Sequence, residues 1–242
     1  MTSDRKWPSG KLAAGSTLVL VALVFGVATL SPRWFVGGLS RVSPEVLYFV
    51  ETDRPTVALT IDDGPDPATT ARILDVLERH GARATFFLIT DRVPGNEAIL
   101  RRILDEGHEI GNHLTREEPS IQLPAERFER ELIAAHEVLV GYANQRWFRP
   151  GSGFYGPEML ETAERHGYTT VLGSVYPLDA QIPSASFAER YILANVRPGS
   201  IIVLHDVGDR GLRTAATLEA VLPELEARGL EVTTLSELVD RP

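Results

Sequence analysis

Short apolar runs of strand length recur along the chain at residues 57–61, 84–88, 109–113, 147–149, 169–173, 200–205 and 231–235. Patterns with helical period lie between several of them, at 67–80, 96–106, 125–142, 157–166 and 212–228. Four of these patterns end alike, as VLERHG, ILDEGH, AERHGY and ELEARG, and the next strand follows almost at once. The glycine in each supplies the left-handed conformation that a helix end requires. Strand and helix alternating in this way predict parallel strands joined by helical crossovers, because parallel neighbours cannot be linked by a tight turn. About seven such strands fit either an incomplete barrel of the eight-fold type or an open doubly wound sheet.

A different pattern precedes this region. Residues 12–30, LAAGSTLVLVALVFGVATL, carry no charge, and Arg5, Lys6 and Lys11 stand before them. Nineteen residues rising about 1.5 Å each are enough to cross the hydrocarbon layer. The expected organisation is a basic cytoplasmic leader at 1–11, a transmembrane anchor at 12–30, a connector at 31–54 and a main domain at 55–242. The basic flank stays inside under the positive-inside rule, which places the main domain outside the cytoplasm. A cleaved secretory signal, with Gly26 and Ala28 near the cleavage point, is the rival and predicts a secreted domain.

Composition narrows the function. The 242 residues, 43% hydrophobic and 24% charged, are ample for one large core. There is no cysteine, so disulfides, thiolate zinc sites and thiol nucleophiles are excluded. The formal charge is −9, and the first 31 residues contribute +2, which leaves −11 for the rest. Nucleic acid is not an expected partner, since phosphate-binding surfaces need clustered positive charge.

Candidate chemistry gathers where strands end. Asp62 and Asp63 follow the first strand, His113 closes the third, Arg149 the fourth, and His205 with Asp206 the sixth, while Asp179 lies beyond the fifth. Active sites of parallel α/β folds lie at these carboxyl ends. Adjacent carboxylates repel unless a cation or proton lies between them. Glu117 follows His113 at i+4, so a helical or turn continuation would return a carboxylate beside the imidazole. With an aspartate from a neighbouring strand, that is an acceptable three-ligand set for a catalytic divalent ion. His205 ends the most apolar strand, SIIVLH, where packing asks for no imidazole, and it suits a general acid. Arg149 is expected to orient a carboxylate through a two-pronged hydrogen bond.

Together TIDDGPDP, GHEIGNH, FRPGSG and VLHD, in that order, resemble the motifs of the polysaccharide deacetylase family, the NodB-homology group akin to carbohydrate esterase family 4, over residues 55–240. The resemblance implies a distorted, incomplete (β/α) barrel and metal-dependent hydrolysis of N-acetyl groups from N-acetylglucosamine-containing glycans. It implies Asp62 as general base, Asp63 and His113 as metal ligands, Arg149 as the residue holding Asp62, and His205 as general acid. It further implies Leu204 as a wall of the acyl-methyl pocket, Pro150 in the arginine-proline loop, and the Ser152 N–H as an oxyanion donor. The family's second histidine ligand is replaced here by Glu117, with Glu118 as the alternative. Of the motif holding an acidic residue and a tryptophan, only Asp179 remains. Zinc is the expected ion, with cobalt, nickel or manganese as substitutes, and a monomer is expected. An O-acetyl carbohydrate esterase and a catalytically impaired glycan-binding domain are the alternative functions.

Overall fold

A computed structural model of the chain describes residues 33–241. The leader and the expected anchor at 12–30 lie outside the described residues. Among the described residues no helix is long and apolar enough to cross a membrane.

All seven predicted strands form, and the connector contributes an eighth. In chain order the elements are α1 (Arg33–Val42), β1 (Val46–Leu47), β2 (Thr56–Asp62), α2 (Thr69–Arg79), β3 (Thr85–Leu88), α3 (Glu97–Asp105), β4 (Glu109–Asn112) and α4 (Ala125–Leu139). There follow β5 (Trp147–Phe148), α5 (Pro157–Arg165), β6 (Thr169–Val171), α6 (Ala185–Asn195), β7 (Ile201–His205), α7 (Gly208–Ala227), β8 (Glu231–Thr233) and α8 (Leu235–Asp240). The strands run in the order β1-β6-β5-β4-β3-β2-β7, and β8 pairs with the first residues of β2. Every pairing is parallel. Isolated bridges join Phe49 to Ser200 and Val175 to Ile202, across the side where a complete barrel would carry a further strand. The sheet is therefore a half-barrel, which decides between the two architectures left open by the pattern.

Seven residues of β2 are all buried, as a parallel strand covered on both faces requires. The larger core packs α2, α3 and α7 against the outer face through residues such as Ile61, Leu74, Phe86, Ile103 and Leu218. A smaller cluster, Ala58, Phe87, Trp147, Val171, Ile201, Leu235 and Leu238, fills the barrel interior. α8 supplies its last two residues, held in place by a capping box between Thr234 and Glu237. That plug shuts one end of the cup and leaves the other open. The four predicted helix ends all show the expected left-handed glycine, with φ between 57° at Gly81 and 80° at Gly107.

Candidate active site

Five of the residues singled out above converge. Asp62, Asp63, His113, Arg149 and His205 line one cavity of about 670 Å³ at the carboxyl ends of β2, β4, β5 and β7, with Glu117, Pro150 and Ser152 also on its wall. Neighbouring side chains of a regular strand face opposite ways, so Asp62 and Asp63 could not both reach a cavity from an unbroken β2. Asp63 has φ 75°, outside the strand region, and this turn brings both carboxylates to the cavity.

Each carboxylate has its own cation. The Arg149 guanidinium donates from Nη1 to Asp62 Oδ1 at 2.6 Å and to Thr60 Oγ1 at 2.7 Å, and its Nε donates to the Val171 carbonyl. The expected two-pronged pairing is thus a single contact: Nε serves the Val171 carbonyl, Nη1 is shared with Thr60, and Nη2 is buried without a hydrogen-bond partner among the described residues. Arg149 lies over the Phe87 ring, 4.2 Å from its centroid, and both members of the ion pair are buried. Burial holds the guanidinium below its usual range, against the attraction of Asp62. Asp63 Oδ2 forms an ion pair with Arg210 Nη1 at 2.9 Å, and its Oδ1 lies 3.5 Å from His113 Nε2. Burial would raise its pKa, but His113, His205 and Arg210 outweigh this and hold it at about 2.

His205 Nδ1 is 2.9 Å from Asp179 Oδ1, and its backbone N–H donates to Asp179 Oδ2. Asp179 therefore stands behind the imidazole and fixes it from two sides, leaving Nε2 toward the cavity. Burial opposes the imidazolium, yet the Asp179 hydrogen bond and the charges of Asp179, Asp62 and Asp63 push His205 up to about 9. The Tyr176 ring meets His205 edge-on, with centroids 5.7 Å apart.

A cation tied to this pair makes a pH prediction. A pKa raised above the ordinary value of about 6.5 adds stability that is complete below that value and is lost as pH rises through about 9. Any activity needing protonated His205 shares the alkaline limit. Asp179→Asn removes the hydrogen-bonded charge and leaves burial, so the limb of a kcat–pH profile moves acidward. An unmoved limb would dissociate His205 from proton donation.

Three expectations are corrected. Leu204 is fully buried in the core against the helices and does not line the cavity. With His205 facing inward, strand alternation turns Leu204 outward and Val203 inward, and Val203 is on the cavity wall. Glu117 does not return to His113: residues 113–117 contain no helix and Leu114 has φ 65°, so i+4 spacing puts nothing on a common face. Instead Glu117 accepts from Arg92 Nη2 at 2.5 Å and from Arg210 Nη2 at 2.7 Å. The alternative ligand, Glu118, is paired with Arg127. Among the described residues no three His, Asp or Glu side chains form a group able to hold a metal ion.

The fit to a divalent ion is therefore two-thirds complete. Donors about 2.1 Å from a tetrahedral ion stand roughly 3.4 Å apart, close to the separation of Asp63 Oδ1 and His113 Nε2. His113 Nδ1 is turned away, 2.6 Å from the Arg149 carbonyl, an outer contact of the kind that orients a metal-binding imidazole. The third position is not filled by Glu117, because Arg210 lies between it and Asp63. Sequence reasoning does not find Arg210 or Arg92, which belong to no motif; Tyr176 is findable as the aromatic three residues before Asp179.

The Ser152 turn (Gly151–Gly153, with Ser152 at φ 66°) lies over the cavity rim. Gly151 is needed there, since a Cβ would come 2.2 Å from the Glu118 carbonyl. Its N–H donates to Ser120 Oγ at 2.7 Å, tying the rim to the loop after His113.

A half-barrel with paired acid–base candidates at its open end defines a hydrolase-like class of site, and the chain belongs to the polysaccharide deacetylase family, whose model matches residues 49–171. The family is divalent-metal-dependent, and its polysaccharide and chitooligosaccharide deacetylases hydrolyse N-acetyl amide bonds. A peptidoglycan-N-acetylglucosamine deacetylase of Bacillus cereus is 34% identical over 197 residues, covering 80% of this chain and 92% of that protein. The crystal structure of a peptidoglycan N-acetylglucosamine deacetylase in complex with 4-naphthalen-1-yl-N-oxidanyl-benzamide superposes with TM-score 0.77 at 31% identity, covering 82% of this chain and 95% of that one. A family 4 acetyl xylan esterase from Clostridium thermocellum in complex with a cobalt ion gives TM-score 0.71 at 34% identity, covering 77% and 91%.

Proposed function

We propose that this domain hydrolyses N-acetyl groups from N-acetylglucosamine units of a wall or capsule glycan, and the observation carrying the reading is the pair of opposed groups, Asp62 with Arg149 and His205 with Asp179, across one cavity. Arg149 holds Asp62 through Oδ1, which leaves Oδ2 to take a proton from an attacking water. His205, tethered at Nδ1, keeps the Nε2 proton for the departing nitrogen. An amine leaves poorly as an anion, so this proton delivery is the step that an amide needs most. The rim turn offers the Ser152 N–H to the developing oxyanion, and Pro150 and Val203 shape the space beside it. Asp63 and His113 are the residues that would hold a divalent ion, zinc in this proposal. The chemistry it supplies when bound is polarisation of the acetyl carbonyl and a lowered pKa for nearby water, about 7 in the best zinc cases.

The uncharged segment at 12–30 supports a membrane-anchored domain outside the cytoplasm, or a secreted one after cleavage.

Ester cleavage is the second reading, favoured by the likeness to the xylan esterase. The two differ in their demand on His205, because an alkoxide leaves more readily than an amide nitrogen. Acetate release from chitooligosaccharide and from acetylxylan, measured for the native chain and His205→Ala, separates them. An N-deacetylase shows higher kcat/KM on chitooligosaccharide and loses about a hundredfold or more there on substitution. Release from acetylxylan alone would overturn the amidase reading.

A further inference from the structure

The connector before the matched region builds part of the cavity. α1 and β1 begin ahead of residue 49, where the family's model starts, yet Phe35, Val36, Leu39 and Tyr48 line the same cavity as Asp62 and His205. Phe154, just past the Ser152 turn, lines it too and is 67% exposed, and Leu39 is 37% exposed. Singly, exposed apolar side chains need no explanation; grouped on the wall of one cavity, they mark a binding surface.

This surface is built before any ligand arrives. Val36 holds α1 to the domain: with Val46, Tyr48 and Leu160 it forms a buried cluster to which Phe35 and Leu39 do not belong. Phe35 meets the Trp34 ring edge-on, with centroids 6.1 Å apart. Tyr48 Oη lies 2.6 Å from Tyr155 Oη, and Tyr155 adjoins Phe154, so β1 is tied to the cavity rim by a hydrogen bond. Side chains fixed in this way lose little freedom on binding.

The lining is divided by element. α1 and β1 contribute carbon surface and one hydroxyl, that of Tyr48, whereas the loop after His113 contributes Arg116, Glu117 and Glu118. A pyranose ring is two-sided in the same sense, with apolar C–H faces and polar hydroxyl edges. A lipid chain would suit the first lining only and would bring hydrocarbon against the charges of the second.

We infer that Phe35, Leu39 and Phe154 form a subsite for a sugar unit next to the one whose acetyl group is cleaved, so that this chain selects longer glycans over short fragments. The inference rests on the reading of the cavity as a glycan N-deacetylase site. It assigns substrate selection to α1 and the rim, which lie outside the motifs at the strand ends.

Calorimetric titration of N-acetylated chitobiose and chitotetraose into the Asp62→Asn chain, where turnover is suppressed and the shape of the site is kept, reads the subsite directly. The tetramer is expected to bind at least about tenfold more tightly than the dimer. Adding Phe154→Ala should remove most of that gap, as loss of a ring covered on binding requires, and should leave the dimer within about twofold. Phe35→Ala in the same background should narrow the gap as well. Val138→Ala, 38% exposed on α4 and not on the cavity wall, should change neither affinity. Thermal melts of each variant confirm folding. Acetate release from the tetramer by the native chain is measured alongside. Equal affinity for the two lengths, or a gap that survives both Phe154→Ala and Phe35→Ala, overturns the subsite, and acetate release then spares the deacetylase reading. A gap that Phe154→Ala closes, without acetate release, supports the subsite and overturns hydrolysis. Neither binding nor release overturns both.

Discussion

Asp62→Asn is expected to lower kcat on chitooligosaccharide by about a thousandfold or more, within the range of general-base contributions when the group's partner stays in place. Asparagine is nearly isosteric and its carbonyl can still accept the 2.6 Å hydrogen bond from Arg149 Nη1. The shape of the site therefore survives, and the basic oxygen does not. Some stability is lost as well, because Arg149 becomes a buried cation without its counter-ion. Activity is thus to be measured well below the midpoint of thermal unfolding. Acetate release within tenfold of native would remove Asp62 from proton abstraction and leave it a scaffold for Arg149.

Arg149→Met is expected to melt at a lower temperature than any other single substitution in the cavity. The ion pair with Asp62 is buried, and removing one member of such a pair costs about 3–5 kcal/mol because the other charge is stranded. For a chain of this size that lowers the melting midpoint by on the order of 10 °C. The same change frees Thr60 Oγ1 and the Val171 carbonyl of their donor, loosening β2 against β6. The double variant Asp62→Asn with Arg149→Met removes both charges and should recover part of the loss, giving a coupling of about a kcal/mol or more in a double-mutant cycle. Strict additivity of the two changes would show that the pair contributes through packing alone.

Much of the fold is legible because the relevant signals are local. The strands carry apolar runs, and the helices between them end in a glycine whose left-handed conformation the sequence advertises. Of the elements that escape a sequence reading, α1 (Arg33–Val42) does carry a one-sided apolar pattern, but the others lack such signals. β1 has two residues, too few for any period, and exists because it pairs with β6. α6 carries only a weakly one-sided apolar pattern over Ala185–Asn195. α8 is too short for a helical period, and its one local cue is the Thr-x-x-Glu capping box at Thr234 and Glu237.

The site is legible to the extent that its residues sit at strand ends. Asp62, His113, Arg149 and His205 follow from the rule that parallel strands present their carboxyl ends to one mouth. The outward direction of Leu204 also follows from sequence alone, since an inward His205 forces its neighbour outward. The place of Glu117 does not. Its expected position relies on i+4 spacing, which has meaning only inside a helix, and a left-handed Leu114 breaks the continuation.

By itself, then, the sequence determined the alternation of parallel strands and helices and the set of polar residues at the strands' carboxyl ends, because periodicity and strand direction are properties of neighbouring residues, while the choice of a half-barrel over an open sheet waited for the strand pairings. Only the tertiary structure decided which charge faces which. Arg210 stands 147 positions from Asp63 and 93 from Glu117 along the chain, and no local pattern encodes their meeting. Ion pairs form by proximity in space, and that proximity exists only once β7, the turn at Val207 and the first turn of α7 have closed over the cavity.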